Sequence, residues 1–145
     1  MTYRPAEDGS ALRALWRGSG TILLVEDEEP VMFVAKTMLE ALGFDVLEAA
    51  NGEEALELCR NNVADISLVV MDIGMPIMDG YDLFHELKRF HPQLPIIVSS
   101  GFGDEYITSR IPREEIDGLA SKPYTLDQMQ KVLRSVLEEK LAKPV

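Results

Sequence analysis

Short apolar runs alternate with longer amphipathic segments along most of the chain. Three nearly continuous runs rich in β-branched residues, Thr21–Val25, Ile66–Met71 and Leu94–Ser99, predict strands that are buried on both faces. Phe44–Glu48 and Leu119–Ser121 are weaker strand candidates. Because parallel sheets bury both faces of their strands, the pattern predicts a parallel sheet that is covered by helices on either side.

The segments between these runs have helical spacing and recognisable ends. Pro30 suits the first turn of a helix, and Gly43 suits the position just after its end. The apolar stripe predicted for this first helix is Val31, Val34, Ala35, Met38, Leu39 and Leu42. Further helices are predicted at Gly52–Asn61, at Tyr81–His91 and after Thr125. Pro112 interrupts the remaining helical pattern, so the fourth helix should be short or broken.

Strands and helices therefore alternate through a single doubly wound domain of the α/β class. A chain of 145 residues fits one globular domain and leaves little room for a second. Residues 1–20 contain glycine and serine residues that favour turns and flexible segments, and they are predicted to be a linker or N-terminal extension. Residues 21–141 are predicted to form the domain, and residues 142–145 a C-terminal tail.

The charge, the length of the apolar runs and the cysteine content bear on which partners and which location to expect. The formal net charge is −11, and such a surface repels phosphate backbones, which argues against direct binding to nucleic acid. The apolar runs are shorter than the roughly 18–20 residues of a membrane span, so no membrane contact is expected from this segment. The single cysteine, Cys59, cannot form an internal disulfide, which agrees with a cytoplasmic location.

Polar side chains follow four of the predicted strands. Glu26 and Asp27 come after the first strand, Asp72 after the third, Ser100 after the fourth and Lys122 after the fifth. In folds of this class, ligands bind at the carboxyl ends of the strands. The sequence therefore predicts that three carboxylates, a hydroxyl and an ammonium group converge on one edge of the sheet.

Clustered carboxylates repel one another and need a cation, and oxygen ligands at an open edge favour Mg²⁺. A carboxylate beside Mg²⁺ can act as the nucleophile in phosphoryl transfer and form an acyl phosphate. Lys122 and Ser100 would then supply one positive charge and one hydrogen bond to the phosphoryl oxygens.

Four segments, ILLVEDEEP, MDIGMPIMDGYDL, PIIVSSG and SKPYT, resemble the successive motifs of the response-regulator receiver domain of two-component signalling. The resemblance extends from about residue 21 to residue 141. It implies a flavodoxin-like fold, with a five-stranded parallel sheet in the order 2-1-3-4-5 and helices on both faces. It also implies a phosphorelay function in which the domain catalyses its own aspartyl phosphorylation and dephosphorylation.

The resemblance assigns roles to individual residues. Asp72 matches the aspartate that accepts the phosphoryl group, Ser100 the hydroxyl that follows this group, and Lys122 the lysine of the same site. The implied Mg²⁺ ligands are Asp27, Asp72, the backbone carbonyl of Gly74 and, through water, Glu26. The acidic pair is Glu-Asp where Asp-Asp is common in the family, which should leave metal binding intact.

The implied switch comprises Ser100, Phe102 and Leu119, and phosphorylation should change the face formed by residues 102–122. Leu119 occupies the position at which the family often has a tyrosine or a phenylalanine. The usual aromatic rotamer switch is therefore not expected in this chain.

The implied partner is a phosphohistidine donor, either a histidine kinase or a histidine phosphotransfer domain. Met32 and Phe33 fall outside the apolar stripe of the first helix, so both are expected to be exposed beside the acidic pair. The resemblance implies that this face of the helix is where the phosphohistidine donor docks. A homodimer through residues 104–141 is a further arrangement that the resemblance allows.

The segment WRGSG before the first strand resembles the linker that precedes the C-terminal receiver of hybrid sensor histidine kinases. The preferred interpretation is thus a receiver from such a kinase, whose parent chain could be anchored in a membrane. A stand-alone single-domain response regulator is the alternative. Two further alternatives are a flavodoxin-like flavin carrier, which the acidic strand ends disfavour, and an unphosphorylated interaction scaffold.

Overall fold

The computed structural model describes residues 16–74, 79–101 and 104–142. The strands are β1 (Thr21–Val25), β2 (Asp45–Ala49), β3 (Ile66–Asp72), β4 (Ile96–Ser100) and β5 (Gly118–Ser121). They form one sheet in the order β2-β1-β3-β4-β5, and every pair of neighbouring strands is parallel. The expected fold class and strand order are confirmed.

The helices are α1 (Glu29–Ala41), α2 (Gly52–Asn61), α3 (Gly80–Phe90), α4 (Asp104–Thr108) and α5 (Leu126–Ala142). The side chain of Asn51 caps α2 by accepting a hydrogen bond from the backbone N–H of Glu54 at 2.9 Å. Thr125 Oγ1 accepts from the N–H of Gln128 at 3.2 Å at the start of α5. These local hydrogen bonds fix where the helices begin, as the sequence indicates.

Between β4 and β5, the described residues from 104 onwards form two short helical pieces. Helix α4 ends at Thr108, and a 3₁₀ helix at Arg113–Glu115 follows Pro112. The backbone nitrogen of Pro112 cannot donate a hydrogen bond, so it does not continue the preceding helix. The predicted short fourth helix is confirmed.

Two apolar layers cover the sheet, and β1 contributes to both because alternate side chains point to opposite faces. Leu23 and Val25 face the layer under α2 and α3. Ile22 and Leu24 face the layer under α1 and α5. Since both faces are covered, the polar side chains that follow the strands collect at the edge formed by the carboxyl ends.

The orientation of α1 corrects two expectations. Met32 is buried, with 8% of its surface exposed, whereas Phe33 and Val34 are 70% and 44% exposed. Met32 lies three residues before Ala35 and seven before Leu39, which places all three on the face of the helix that packs on the sheet. The expectation of an exposed Met32 and a buried Val34 was wrong, whereas the exposure of Phe33 is confirmed.

The residues that precede β1 pack against the domain. The ring of Trp16 lies 6.0 Å from the ring of Phe44, measured between their centres. The backbone N–H of Trp16 donates to Gln130 Oε1 of α5 at 3.0 Å. The N–H of Gly18 donates to the carbonyl of Leu42 at 2.8 Å. Residues 1–15 of the predicted linker and residues 143–145 of the predicted tail lie outside the described residues, and the domain limits stay a prediction.

Gly18 offers a test of this packing. A Cβ atom there would overlap the buried ring of Phe44, whereas one at Gly101 would meet no atom of the described residues within 4 Å apart from its chain neighbours. We expect Gly18→Ala to lower the free energy of unfolding by about 2 kcal/mol, since overpacking a filled site typically costs that much. The control Gly101→Ala should change it by less than about 0.5 kcal/mol. Urea denaturation measures both, and equal values for the two variants would contradict the close packing of Gly18.

Candidate phosphoryl-transfer site

The carboxyl ends of three strands supply the charged groups of the site. Glu26 directly follows β1, Asp72 is the last residue of β3, and Lys122 directly follows β5. Strands β1 and β3 are neighbours, so their acidic residues lie side by side. Strand β5 is separated from β3 by β4, and the long side chain of Lys122 spans this distance.

The three predicted acidic residues form one cluster. Each of Glu26, Asp27 and Asp72 places a carboxylate oxygen within 4.8 Å of the others. Glu26 and Asp72 are 2% and 5% exposed, whereas Asp27 is exposed to solvent. The cluster therefore has a buried floor and one side that is open to water.

Lys122 lies between the two buried acidic residues. Its Nζ is 2.7 Å from Glu26 Oε1 and donates a hydrogen bond to Asp72 Oδ2 at 2.9 Å. The other oxygen of Asp72, Oδ1, accepts from the backbone N–H of Gly74 at 3.2 Å. Glu26 Oε2 accepts from the backbone N–H of Glu28, also at 3.2 Å. The carboxyl groups of Glu26 and Asp72 are thus held in defined orientations.

Burial and charge act on these groups in opposite directions. Burial raises the pKa of Glu26 because it disfavours the charged form, and the Lys122 ammonium group opposes this only in part. Burial by itself would lower the pKa of Lys122, but its contacts with Glu26 and Asp72 together raise it above its usual value. Lys122 therefore remains a cation in the site.

The donor set of the cluster suits a hard divalent cation. Glu26 Oε1 is buried and accepts no well-aligned hydrogen bond from the described residues, although the Lys122 charge is close to it. Three carboxylates facing one ammonium group leave an excess of negative charge. Oxygen ligands with one side open to water are the arrangement that Mg²⁺ prefers, so the residues present fit this ion.

A buried pair of hydroxyl groups lies beside the charged cluster, and the sequence did not single it out. Ser99 Oγ and Tyr124 Oη are 2.5 Å apart, and Ser99 Oγ also donates to the carbonyl of Met71 at 3.3 Å. Burial raises the pKa of Tyr124 to about 12, so its hydroxyl is protonated at neutral pH. The signal was present in the motif SKPYT, in which the tyrosine follows the lysine by two residues.

The remaining predicted site residues occupy different positions. Ser100 is buried at the end of β4, and its carbonyl accepts from the N–H of Lys122 at 3.3 Å. Leu119 is half-buried in β5 and packs against the layer under α2 and α3. Phe102 lies outside the described residues. Phe33 is on the exposed face of α1, which begins three residues after Glu26.

Comparisons with known proteins agree with this geometry. The sequence model of the response regulator receiver domain matches residues 22–134. Sensor kinase CckA of Brucella abortus is 37% identical over 122 residues, which are 84% of this chain but only 13% of that protein. The chain thus spans about an eighth of the length of this curated relative. No helix within the described ranges has the length and apolar character that crossing a bilayer requires.

Two solved structures extend the comparison. The receiver domain of the hybrid histidine kinase CckA superimposes with a TM-score of 0.68 at 32% identity, covering 81% of this chain and 99% of that one. The response regulator TrrA of Thermotoga maritima, solved in complex with Mg²⁺-BeF, gives 0.72 at 25% identity and covers 81% and 98%. With the matched sequence model, these likenesses establish that the chain belongs to the response regulator receiver domain family of two-component signalling.

Proposed function

We propose that Asp72 accepts a phosphoryl group from a phosphohistidine donor in an Mg²⁺-dependent transfer. The observation that carries this proposal is the position of the Asp72 carboxylate. It lies at the edge of the sheet, with Lys122 at 2.9 Å on one oxygen, the Gly74 N–H on the other and two further acidic residues beside it. Asp72 is therefore oriented as a nucleophile, and its surroundings can neutralise the charge of an incoming phosphoryl group.

In the proposed reaction, an Asp72 oxygen forms a bond to phosphorus while the phosphorus–nitrogen bond of the donor breaks. The electron pair of that bond leaves with the imidazole of the donor, and Asp72 becomes an acyl phosphate. Lys122 already lies next to Asp72 and would shift its hydrogen bond to a phosphoryl oxygen. Ser100, at the adjacent strand end, would donate its hydroxyl to another phosphoryl oxygen.

The proposed metal ligands are Asp27, Asp72 and the backbone carbonyl of Gly74, with Glu26 acting through water. When bound, Mg²⁺ supplies charge neutralisation and alignment of the phosphoryl oxygens. The Mg²⁺-BeF complex of TrrA supports this assignment, as does the oxygen cluster of this chain. The chain's own residues orient the nucleophile through Gly74 and Lys122, and they leave the Asp27 side open for the ion.

Phosphorylation is further proposed to change the face formed by residues 102–122. Ser100 lies two residues before this stretch, and Leu119 lies in β5 without an aromatic ring to swing inward. The change would therefore act through the short helical pieces between β4 and β5. The broader face of residues 104–141 is the surface on which a homodimer would form.

We propose a hybrid sensor histidine kinase as the parent protein, in the cytoplasmic part of which this domain would lie. The likeness to CckA in both sequence and structure favours this context over a stand-alone response regulator. A flavin carrier is disfavoured, because the acidic strand ends would repel a flavin phosphate. An unphosphorylated scaffold is disfavoured because the nucleophile, the acidic pair and the lysine occur together.

The proposed docking site for the phosphohistidine donor is centred on Phe33. This side chain is 70% exposed, and its neighbour Val34 is also exposed. Both belong to α1, which begins two residues after Asp27 of the acidic pair. With Met32 buried, the exposed apolar patch consists of Phe33 and Val34, and such anchors carry most of the energy of docking.

Phosphorylation of Asp72 is tested by mass spectrometry after incubation with Mg²⁺ and acetyl phosphate. The wild type should gain the mass of one phosphoryl group, and removing Mg²⁺ with EDTA should abolish this gain. Asp72→Asn should gain none, because the amide is not a nucleophile for this transfer. The control Asp79→Asn changes an exposed carboxylate at the start of α3 and should label like the wild type. Labelling that persists in Asp72→Asn would refute the assignment.

Metal binding is tested by thermal unfolding with and without Mg²⁺. A ligand at about 100 times its dissociation constant stabilises a fold by about 2.7 kcal/mol. Asp27→Ala should raise the melting temperature without metal, because it relieves repulsion within the cluster, and it should weaken the response to Mg²⁺. Glu28→Ala removes a neighbouring exposed charge outside the cluster and should respond like the wild type. An unchanged response in Asp27→Ala would show that Asp27 is not a ligand.

Docking is separated from chemistry by comparing two phosphoryl donors. Phe33→Asp should slow transfer from a phosphohistidine protein by at least about tenfold, the effect of losing an interface anchor. Labelling by acetyl phosphate should stay within about twofold of the wild type. Phe90→Asp alters another exposed phenylalanine, on α3, and should affect neither donor. If Phe33→Asp slows both donors equally or slows neither, the docking site lies elsewhere.

A further inference from the structure

The hydroxyl pair of Ser99 and Tyr124 lies directly beside the phosphoryl-transfer site. In the sheet, Ser99 of β4 is the register partner of Asp72 in β3. Register partners in parallel strands point their side chains to the same face, so Ser99 and Asp72 share a face. Tyr124 follows Lys122 by two residues and belongs to the apolar layer on that same side.

The two hydroxyl groups form successive hydrogen bonds whose directions can be assigned. Each hydroxyl has a single proton to donate. Ser99 Oγ donates to the carbonyl of Met71, so the hydroxyl of Tyr124 is left to donate to Ser99 Oγ. These two hydrogen bonds therefore connect Tyr124, two residues after Lys122, through Ser99 of β4 to the carbonyl of Met71, the residue immediately before Asp72.

The hydroxyl of Tyr124 is not needed to fill the core. Tyr124 is 8% exposed and packs among apolar side chains, where a phenylalanine ring would occupy nearly the same volume. A hydroxyl that is buried in such surroundings lowers stability unless it is hydrogen-bonded. The backbone of Lys122 is linked to β4 by a long hydrogen bond, in which its N–H donates to the carbonyl of Ser100 at 3.3 Å. The side-chain pair is thus a second, shorter link between these two segments.

We propose that the Tyr124–Ser99 hydroxyl pair positions Lys122 against Asp72 and thereby sets the rate at which Asp72 takes up a phosphoryl group. The inference rests on the proposed function and deepens it. In this proposal, the hydroxyl groups of Ser99 and Tyr124 do not contact the phosphoryl group. Both residues are positioning residues that act through Lys122. The effect follows because charge stabilisation in the transition state depends on the placement of the cation.

The kinetic test compares Tyr124→Phe, Ser99→Ala and the double variant by labelling with acetyl phosphate at saturating Mg²⁺. Each single variant should lower the maximal labelling rate by about three- to tenfold, the range that corresponds to losing one neutral hydrogen bond. The double variant should be no more than about twofold slower than the slower single variant, because the residues act as a unit. Tyr81→Phe removes a phenol hydroxyl on α3 and should label at the wild-type rate.

A crystal structure of Tyr124→Phe gives a readout that is independent of labelling. Lys122 Nζ should lie beyond hydrogen-bond distance of Asp72 Oδ2, compared with 2.9 Å here. An unchanged distance would overturn the proposal. Loss of stability in Tyr124→Phe or Ser99→Ala without any change in labelling rate would also overturn it. Multiplying effects in the double variant would also overturn it. If the wild type itself fails to label, the proposed function fails, while the crystallographic distance still decides whether Tyr124 positions Lys122.

Discussion

The structure depends on one ammonium group placed between two buried carboxylates. Glu26 and Asp72 are almost inaccessible to solvent, and burying two negative charges side by side is costly unless a cation compensates them. Lys122 provides this compensation by direct contact with both. Because Asp27 adds a third carboxylate, the cluster keeps a negative charge that a divalent ion can neutralise. Lys122 thus stabilises the resting site, and the acidic cluster keeps its capacity to bind metal.

The parallel sheet brings these groups together from distant parts of the chain. Strand β3 occupies the centre of the sheet, so Asp72 has neighbours on both sides. Strand β1 supplies the acidic pair from one side. On the other side, β4 supplies Ser99 and Ser100, and the chain beyond β5 supplies Lys122. Because both faces of the sheet are covered by helices, the edge at the strand ends remains as the place where polar groups meet water.

Much of this arrangement was predictable from the sequence, and for a physical reason. Buried parallel strands have nearly continuous apolar runs, so their ends could be located and the convergence of Glu26, Asp72 and Lys122 inferred. The neighbour relations within the sheet came from the family resemblance, since apolar periodicity does not specify strand order. Met32 and Val34 were misplaced because a broad apolar stripe on a helix allows a rotation of about one residue, or 100°. The structure fixes this rotation through Ala35 and Leu39.

The Tyr124–Ser99 pair was not predictable in the same way. A hydrogen bond between side chains 25 residues apart depends on rotamers and on the register of β4, and neither leaves a periodic signal. Alternation along β4 places Ser99 on the Asp72 face, but it does not identify its partner. Contacts of this kind become visible only when the elements are packed together.

The most direct test of the central claim is a crystal structure of the chain with Mg²⁺ and beryllofluoride, a stable mimic of the phosphoryl group. We expect the mimic on an Asp72 oxygen, the ion against Asp27 and Asp72, and Lys122 Nζ within hydrogen-bond distance of a fluorine. Beryllofluoride bound elsewhere, or Lys122 still paired with Asp72 Oδ2 and Glu26 as in the present structure, would contradict it.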